Sequence, residues 1–271
     1  MNSSRIMIAI IVALALVLGV SAFYVAGSSH AGMAEAAAAA QTPEPIADDA
    51  TGDAVRNYLL ENPEIIETAL MALQAKRAQA AKAEQSQTIT QMQDMLFNSE
   101  NQVVLGNPDG KVTLVEFFDY NCGYCKRAYP DMMALIESNP DLKMVLKEFP
   151  ILSEGSMEAA RVAIAINEVA PDRYAAFHRE MMTRGGQADR AKAMQIVNDL
   201  DLDAAAVERE AAATSVDENI SEVRALADAL DVSGTPSYVI ADQAVPGAVG
   251  FDQLQQMVIA ARKCGGNSLT C

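Results

Sequence analysis

Val112-Thr-Leu-Val-Glu-Phe-Phe-Asp-Tyr-Asn-Cys-Gly-Tyr-Cys-Lys-Arg127 is an apolar run that breaks into two cysteines separated by Gly123 and Tyr124. From Val112 to Phe118 the side chains are β-branched or aromatic with almost no polar interruption, the composition of a strand covered on both faces. Asp119-Tyr120-Asn121 turns the chain, and helical spacing takes over from Tyr124 to Ile136. Cys122 is thereby predicted at a helix N-terminus, where unpaired backbone N–H groups and the helix dipole favour a reactive thiolate.

Glu116 is the odd residue of the strand, on the side of Leu114 and Phe118. A carboxylate among apolar neighbours is costly unless it stays protonated or finds a partner. It is read either as a proton relay for the cysteines six residues on, or as a structural group that pairs with Lys147 or reaches solvent through strand twist. The apolar surroundings favour the relay.

Outward from this stretch, Gln102–Leu105 reads as a short strand and Gly106-Asn-Pro-Asp-Gly110 as a turn before the central strand. Asn139-Pro140 stops the active-site helix, and Lys143–Phe149 gives a further strand ended by Pro150. Residues 153–229 hold five helical stretches with no strand pattern between them. Strands return at Tyr238–Ala241 and Ala244-Val245, and Phe251–Arg262 closes the chain as a helix. Strand, helix and strand, a helical block, then hairpin and helix make an α/β sandwich with an all-helical insertion.

Upstream, Arg5 is followed by Ile6–Gly27, an uncharged apolar stretch. It reads as an export signal, and at about 20 residues it exceeds a usual signal core and just reaches a bilayer span. A signal anchor is therefore favoured over a cleaved peptide, with Val20-Ser21-Ala22 and Ser29-His30-Ala31 as the small-residue cleavage sites otherwise available. Either way the dithiol is expected outside the cytosol, in the periplasm. Residues 29–50, with the Ala36–Ala40 run, read as a flexible linker. Asp53–Leu60 reads as a short helix, and Asn62 as the cap of a second one with Pro63 in its first turn. That second helix is free of Gly and Pro as far as Phe97, spanning roughly 50 Å at about 1.5 Å per residue. Its stripe is apolar at Ile66, Leu70 and Leu73 and interrupted beyond, so residues 53–73 are expected to join copies of the chain, the alternative being a solvated spacer.

The domains expected are thus a signal segment 1–28, linker 29–50, helical stalk 51–97, sandwich 98–152 and 230–264, helical insertion 153–229, and tail 265–271.

A net charge of −16, from 20 Lys and Arg against 36 Asp and Glu, leaves no basic field for phosphates, so nucleic acid is not an expected partner. Four cysteines in 271 residues do not make a disulfide-stapled miniature, and the Cys122/Cys125 pair reads as reactive. For Cys264 and Cys271 a tail disulfide closing Gly265–Thr270 is favoured. A second redox pair relaying electrons to Cys122 and Cys125, or intermolecular bonding, stays open. A zinc site is disfavoured by that spacing and by a content of two His, so no metal ligand is assigned. Copper binding by the thiolates with some of the 14 Met residues is a rival, against which the Met positions read as core filling. His178 reads as a packing residue.

Glu116-Phe-Phe-Asp-Tyr-Asn-Cys-Gly-Tyr-Cys-Lys126, Glu148-Phe-Pro-Ile-Leu152 and Gly234-Thr-Pro236 together resemble the DsbA-type thiol-disulfide oxidoreductases. The resemblance covers residues 98–263 and implies a thioredoxin fold interrupted by a helical domain. It further implies that Pro236 is cis beside the dithiol, that Thr235 offers its backbone to a substrate chain, and that Gly123 and Tyr124 line the same site. Tyr58-Leu-Leu-Glu-Asn-Pro-Glu-Ile65 resembles the stalk of the suppressor-of-copper-sensitivity C and Com1-like subgroup, some of whose members oligomerise there and act as disulfide isomerases.

The implied roles are Cys122 as attacking thiol, exposed at the helix start, and Cys125 as resolving thiol one turn inward, with no cofactor beyond the pair. The strongly oxidising members carry His where this chain has Tyr124, so thiolate stabilisation by the helix terminus alone and a milder oxidant are expected. That favours an isomerase or reductase over a DsbA-type dithiol oxidase or a copper-tolerance protein. Cysteine-bearing exported proteins, a membrane redox partner and further copies of the chain are the partners expected.

Overall fold

The computed structural model describes residues 50–99 and 101–271. The signal stretch and nearly all of the linker lie outside them. None of the described helices is long and apolar enough to cross a membrane. The chain divides at Leu73/Gln74 into two compact units.

In the first unit, α1 (Ala50–Glu61) ends where Asn62 turns its side-chain amide back, Nδ2 donating to the Tyr58 carbonyl at 2.9 Å. Asn62 therefore closes α1 rather than capping α2 through its side chain. Pro63, which lacks an N–H, precedes α2 (Glu64–Gln91). Val55, Tyr58, Leu60, Ile66, Leu70 and Leu73 are all exposed.

The second unit is built on a five-stranded sheet of order β1-β3-β2-β4-β5, comprising β1 (Val103–Gly106), β2 (Val112–Phe118), β3 (Leu142–Glu148), β4 (Ser237–Ile240) and β5 (Gln243–Pro246). β2 lies parallel to β3 with Glu116 beside Leu146, and antiparallel to β4 with Glu116 opposite Tyr238. At the β1–β2 turn Gly106 takes a positive φ of 75° and Asn107 Oδ1 accepts from the Asp109 N–H at 3.0 Å, an Asx turn.

Alternation along β2 sorts the core. Leu114 and Phe118 face a cluster that includes Cys125, Met132 and Leu135 of α4 (Gly123–Ser138) and Leu254 and Val258 of α10 (Phe251–Lys263). The same cluster runs into the insertion through α5 (Glu154–Val169), α6 (Pro171–Thr183), α7 (Arg190–Asp199) and α8 (Ala204–Ala211). Val115 and Phe117 face the other way. They meet Val145, Val239, Ile89, Leu96 and the Val223, Leu226 and Ala227 side of α9 (Thr214–Ala229).

Two expected boundaries shift on this evidence. α9, grouped above with the insertion, covers the second face of the sheet. The end of the long helix, grouped with the stalk, contributes buried Ile89 and Leu96 to the same core. The long helix also changes course at Met92 (φ −104°, ψ 13°) before α3 (Gln93–Phe97). Helical hydrogen bonds continue across Met92, from the Met92 N–H to the Thr88 carbonyl and from the Leu96 N–H to the Met92 carbonyl.

Candidate active site

Asp119 builds the turn that ends β2. Its carboxylate accepts from the N–H groups of Asn121 (2.7 Å), Ile151 (3.0 Å) and Leu152 (3.0 Å), and its carbonyl accepts from the Cys122 N–H. Cys122 then sits at the N-cap of α4 and its sulfur accepts from the Cys125 N–H at 3.4 Å. The thiol of Cys122 donates to the Thr235 carbonyl at 3.1 Å. The Thr235–Pro236 bond is cis, and both cysteines are free thiols.

Cys122 is less open than the sequence suggests: it is 6 % exposed, against 61 % for Tyr124 beside it. Cys125 is more deeply buried, and desolvation, then the charge of Glu116, pushes its thiol well above the usual range. A thiol held neutral in this way needs a base before it can attack a disulfide.

Glu116 is 3 % exposed, and burial pushes its carboxyl up to about 8. Neither structural alternative for it holds. Strand twist does not bring it to solvent, and Lys147, level with Phe117 in the register, projects to the opposite face. There Lys147 donates to the Met95 carbonyl at 2.5 Å and pairs with Glu222 at 3.6 Å.

The arginine five residues after Cys122 modifies the expectation that the helix terminus acts alone. Arg127 lays its guanidinium over the Tyr124 ring at 4.2 Å, so a cation borders the first turn of α4. Tyr124, Thr235, Pro236, Val245, Pro246 and Gln85 of α2 line a groove of about 560 Å³ beside the dithiol. Gln85 Oε1 also accepts from the Ala244 N–H of edge strand β5 at 2.9 Å.

Two features escape a reading by motif. Asn121, next to Cys122, is clamped to the insertion, its Nδ2 donating to the Ala188 carbonyl (2.8 Å) and its Oδ1 accepting from the Ala188 N–H (2.7 Å). A turn asparagine carries no sequence signal for such a distant partner. A buried polar cluster also lies beyond Phe118. The Tyr174 hydroxyl donates to Glu148 (2.9 Å), and the Tyr120 hydroxyl lies 3.1 Å from His178 Nδ1. His178 stacks on Tyr174, and burial pushes its imidazole down to about 3, keeping it neutral. The four-residue spacing of Tyr174 and His178 on one helix face was the available signal.

Cys264 and Cys271 are joined in a disulfide. A side chain at Gly266 would collide with the Lys111 carbonyl, so this loop packs where β2 begins, while the dithiol follows where β2 ends. Seven strand residues separate the two, roughly 23 Å at about 3.3 Å each.

A dithiol at a helix start beside a cis proline, on a sheet whose chain carries a helical insertion, defines the DsbA-like class of thiol-disulfide oxidoreductases. The chain belongs to the DSBA-like thioredoxin domain family, whose sequence model matches residues 113–258. Residues 49–80 match the copper resistance protein ScsC N-terminal domain. Among solved structures, a thioredoxin-like oxidoreductase from Silicibacter pomeroyi is 44 % identical, with 63 % of this chain and 97 % of that one covered and a TM-score of 0.61. A linker-deletion mutant of Proteus mirabilis ScsC is 28 % identical over 80 % of this chain and 98 % of its own, with a TM-score of 0.64. Disulfide bond formation protein D of Bacillus subtilis is 22 % identical, covering 59 % of this chain and 76 % of that protein. The Na(+)/H(+) antiporter NhaA 1 of Salinispora arenicola is 27 % identical over 58 % of this chain, and the match spans about a quarter of that protein (24 %).

Proposed function

We propose that the protein is an exported disulfide isomerase and reductase, acting in the periplasm on cysteine-bearing proteins and assembled from several copies through its N-terminal helices. The observation that carries this reading is the row of apolar side chains left exposed from Val55 to Leu73 and attached to a DsbA-like dithiol domain. Joining copies buries that row, and it presents several dithiols to one misbonded client. The match of residues 49–80 to the ScsC N-terminal domain supports the same assignment.

In the reaction, the Cys122 thiolate attacks a client disulfide, one client sulfur leaves as a thiolate, and Cys122 is joined to the other. To resolve this mixed disulfide, Glu116 takes the Cys125 proton and the Cys125 sulfur attacks that of Cys122. The Cys122–Cys125 disulfide forms and the second client thiolate departs, so the client gains the electron pair the dithiol loses. In isomerisation the client's own thiolate displaces Cys122 instead, and no net oxidation occurs. Thr235 and Pro236 hold the client backbone beside Cys122, with Gly123 and Tyr124 forming the facing wall. A membrane redox partner restores the dithiol.

A dithiol oxidase is the second reading, favoured by the Arg127 cation at the start of α4. The two separate in one assay pair. Reactivation of scrambled ribonuclease with slow oxidation of a dithiol peptide is expected, and rapid peptide oxidation without reactivation overturns the isomerase.

A further inference from the structure

Two polar groups on neighbouring strands are buried beneath the dithiol without protein partners. Tyr238 lies directly opposite Glu116 in the antiparallel β2–β4 register. Side chains so opposed share a face, with Cβ atoms about 5 Å apart. Tyr238 is fully buried and its hydroxyl makes no hydrogen bond. Among the described residues Glu116 also forms neither hydrogen bond nor ion pair, and its surroundings act on it through desolvation. Buried polar atoms are rarely left unpaired, and an unpaired Tyr238 hydroxyl opposite a carboxyl that has no hydrogen-bond partner among the described residues points to a shared use.

The titratable groups that face this pair are Cys122, Cys125 and Asp131 of α4 and Tyr174 of α6. β3 contributes apolar Leu146 beside Glu116, and the Lys147 ammonium is on the other face of the sheet. No cation of the described residues is therefore placed to favour the Glu116 carboxylate. With burial pushing the carboxyl up to about 8, the base form is a minor species at neutral pH. A hydroxyl donor aimed at the carboxylate raises its share.

We propose that Tyr238 is a positioning residue for proton transfer: its hydroxyl donates a hydrogen bond, through one bridging water, to the Glu116 carboxylate that receives the Cys125 proton. In that step the Cys125 S–H bond breaks, the proton passes to a Glu116 oxygen, and the Cys125 sulfur attacks Cys122 of the mixed disulfide. The client sulfur leaves with the electron pair of the old S–S bond. Tyr238 keeps its own proton throughout. The assignment rests on the reading of Glu116 as the base.

The test uses a preformed mixed disulfide between Cys122 and glutathione, and follows glutathione release by Cys125 against pH. The chain is compared with Tyr238→Phe, Glu116→Gln and the double variant. The chain is expected to show a rate limb that Glu116→Gln abolishes. Tyr238→Phe is expected to keep the limb but move its midpoint up by about one pH unit. The double variant is expected to match Glu116→Gln. A Tyr238→Phe profile that superposes on the parent, with the limb absent in Glu116→Gln, overturns the role of Tyr238 and leaves Glu116 standing. A limb that survives Glu116→Gln overturns the Glu116 reading and this inference with it. An infrared titration of the Glu116 carboxyl band gives the same midpoints without turnover, and an unmoved band in Tyr238→Phe is equally contrary.

Discussion

The Cys122 sulfur lies 3.1 Å from the carbonyl oxygen of Thr235, a residue 113 positions further along the chain. A thiol donates to that carbonyl and a thiolate cannot, so the bond belongs to the resting dithiol and is given up when Cys122 attacks. In the mechanism proposed above, the same carbonyl accepts from a client backbone N–H.

The proposed mechanism gives Cys122 and Cys125 separate roles, which trapping distinguishes. Cys125→Ser leaves the attacking thiol without a resolver and is expected to accumulate covalent client adducts on non-reducing gels. Cys122→Ser is expected to form none and to lose insulin reduction by at least about a thousandfold, since the buried neutral Cys125 is a poor nucleophile. Equal trapping by both variants contradicts the assignment.

Glu116 makes stability depend on pH. Its carboxyl is raised from 4.5 to about 8 in the fold, so the folded state holds a proton that the unfolded state has released across that window. Stability from this group is full below pH 4.5 and is lost as pH rises through 8, by roughly 4 kcal/mol between pH 5 and pH 9. Urea midpoints of Glu116→Gln are expected to lack this fall, and identical pH slopes in chain and variant sink the claim.

His178 acts in the opposite sense. Burial lowers its imidazole from 6.5 to about 3, so acid favours the unfolded state, which binds the proton first. The stability it supports is present above pH 6.5 and is lost as pH falls toward 3. Between pH 7 and pH 4 the parent is expected to lose roughly 3 kcal/mol more than His178→Gln, read from thermal melts at the two pH values.

The tail disulfide is expected to stabilise without taking part in redox turnover. Cys264 and Cys271 are seven residues apart, and opening so short a loop costs about 2 kcal/mol, a fall in melting temperature of roughly 4–8 °C. Replacing both by Ser is expected to leave insulin reduction unchanged, because the loop packs at the far end of β2. A matching loss of activity in well-folded protein contradicts this.

The catalytic half of the fold is legible in the sequence because its signals are local. Val112–Phe118 is continuously apolar, Asn139-Pro140 and Pro150 mark element ends, and Thr235-Pro236 announces the loop opposite Cys122. What escaped depends on distant partners. Ile89, Met92 and Leu96 share an apolar helix face that is legible in the sequence, but that this face packs on the sheet is not. α9 has the same helical periodicity as the insertion helices, and periodicity does not say which layer a helix joins. The spacing of Tyr124 and Arg127 is visible in the sequence, but the ring-on-guanidinium contact is set by rotamers. Glu116 stands out at once in an apolar strand, whereas its neighbour Tyr238 is unremarkable until strand pairing sets the two side by side.

The central claim joins the dithiol to the stalk, and one paired measurement on residues 50–271 tests it. Truncation at residue 98 would remove buried Ile89 and Leu96, so the stalk is instead altered in place by Ile66→Glu, Leu70→Glu and Leu73→Glu, at exposed positions. Mass in solution and reactivation of scrambled ribonuclease are measured for both proteins. The account predicts an oligomer that reactivates the substrate, and a folded monomeric variant that reactivates it at least about tenfold more slowly while still reducing insulin. A parent chain that is already monomeric, or a monomeric variant with undiminished reactivation, contradicts it.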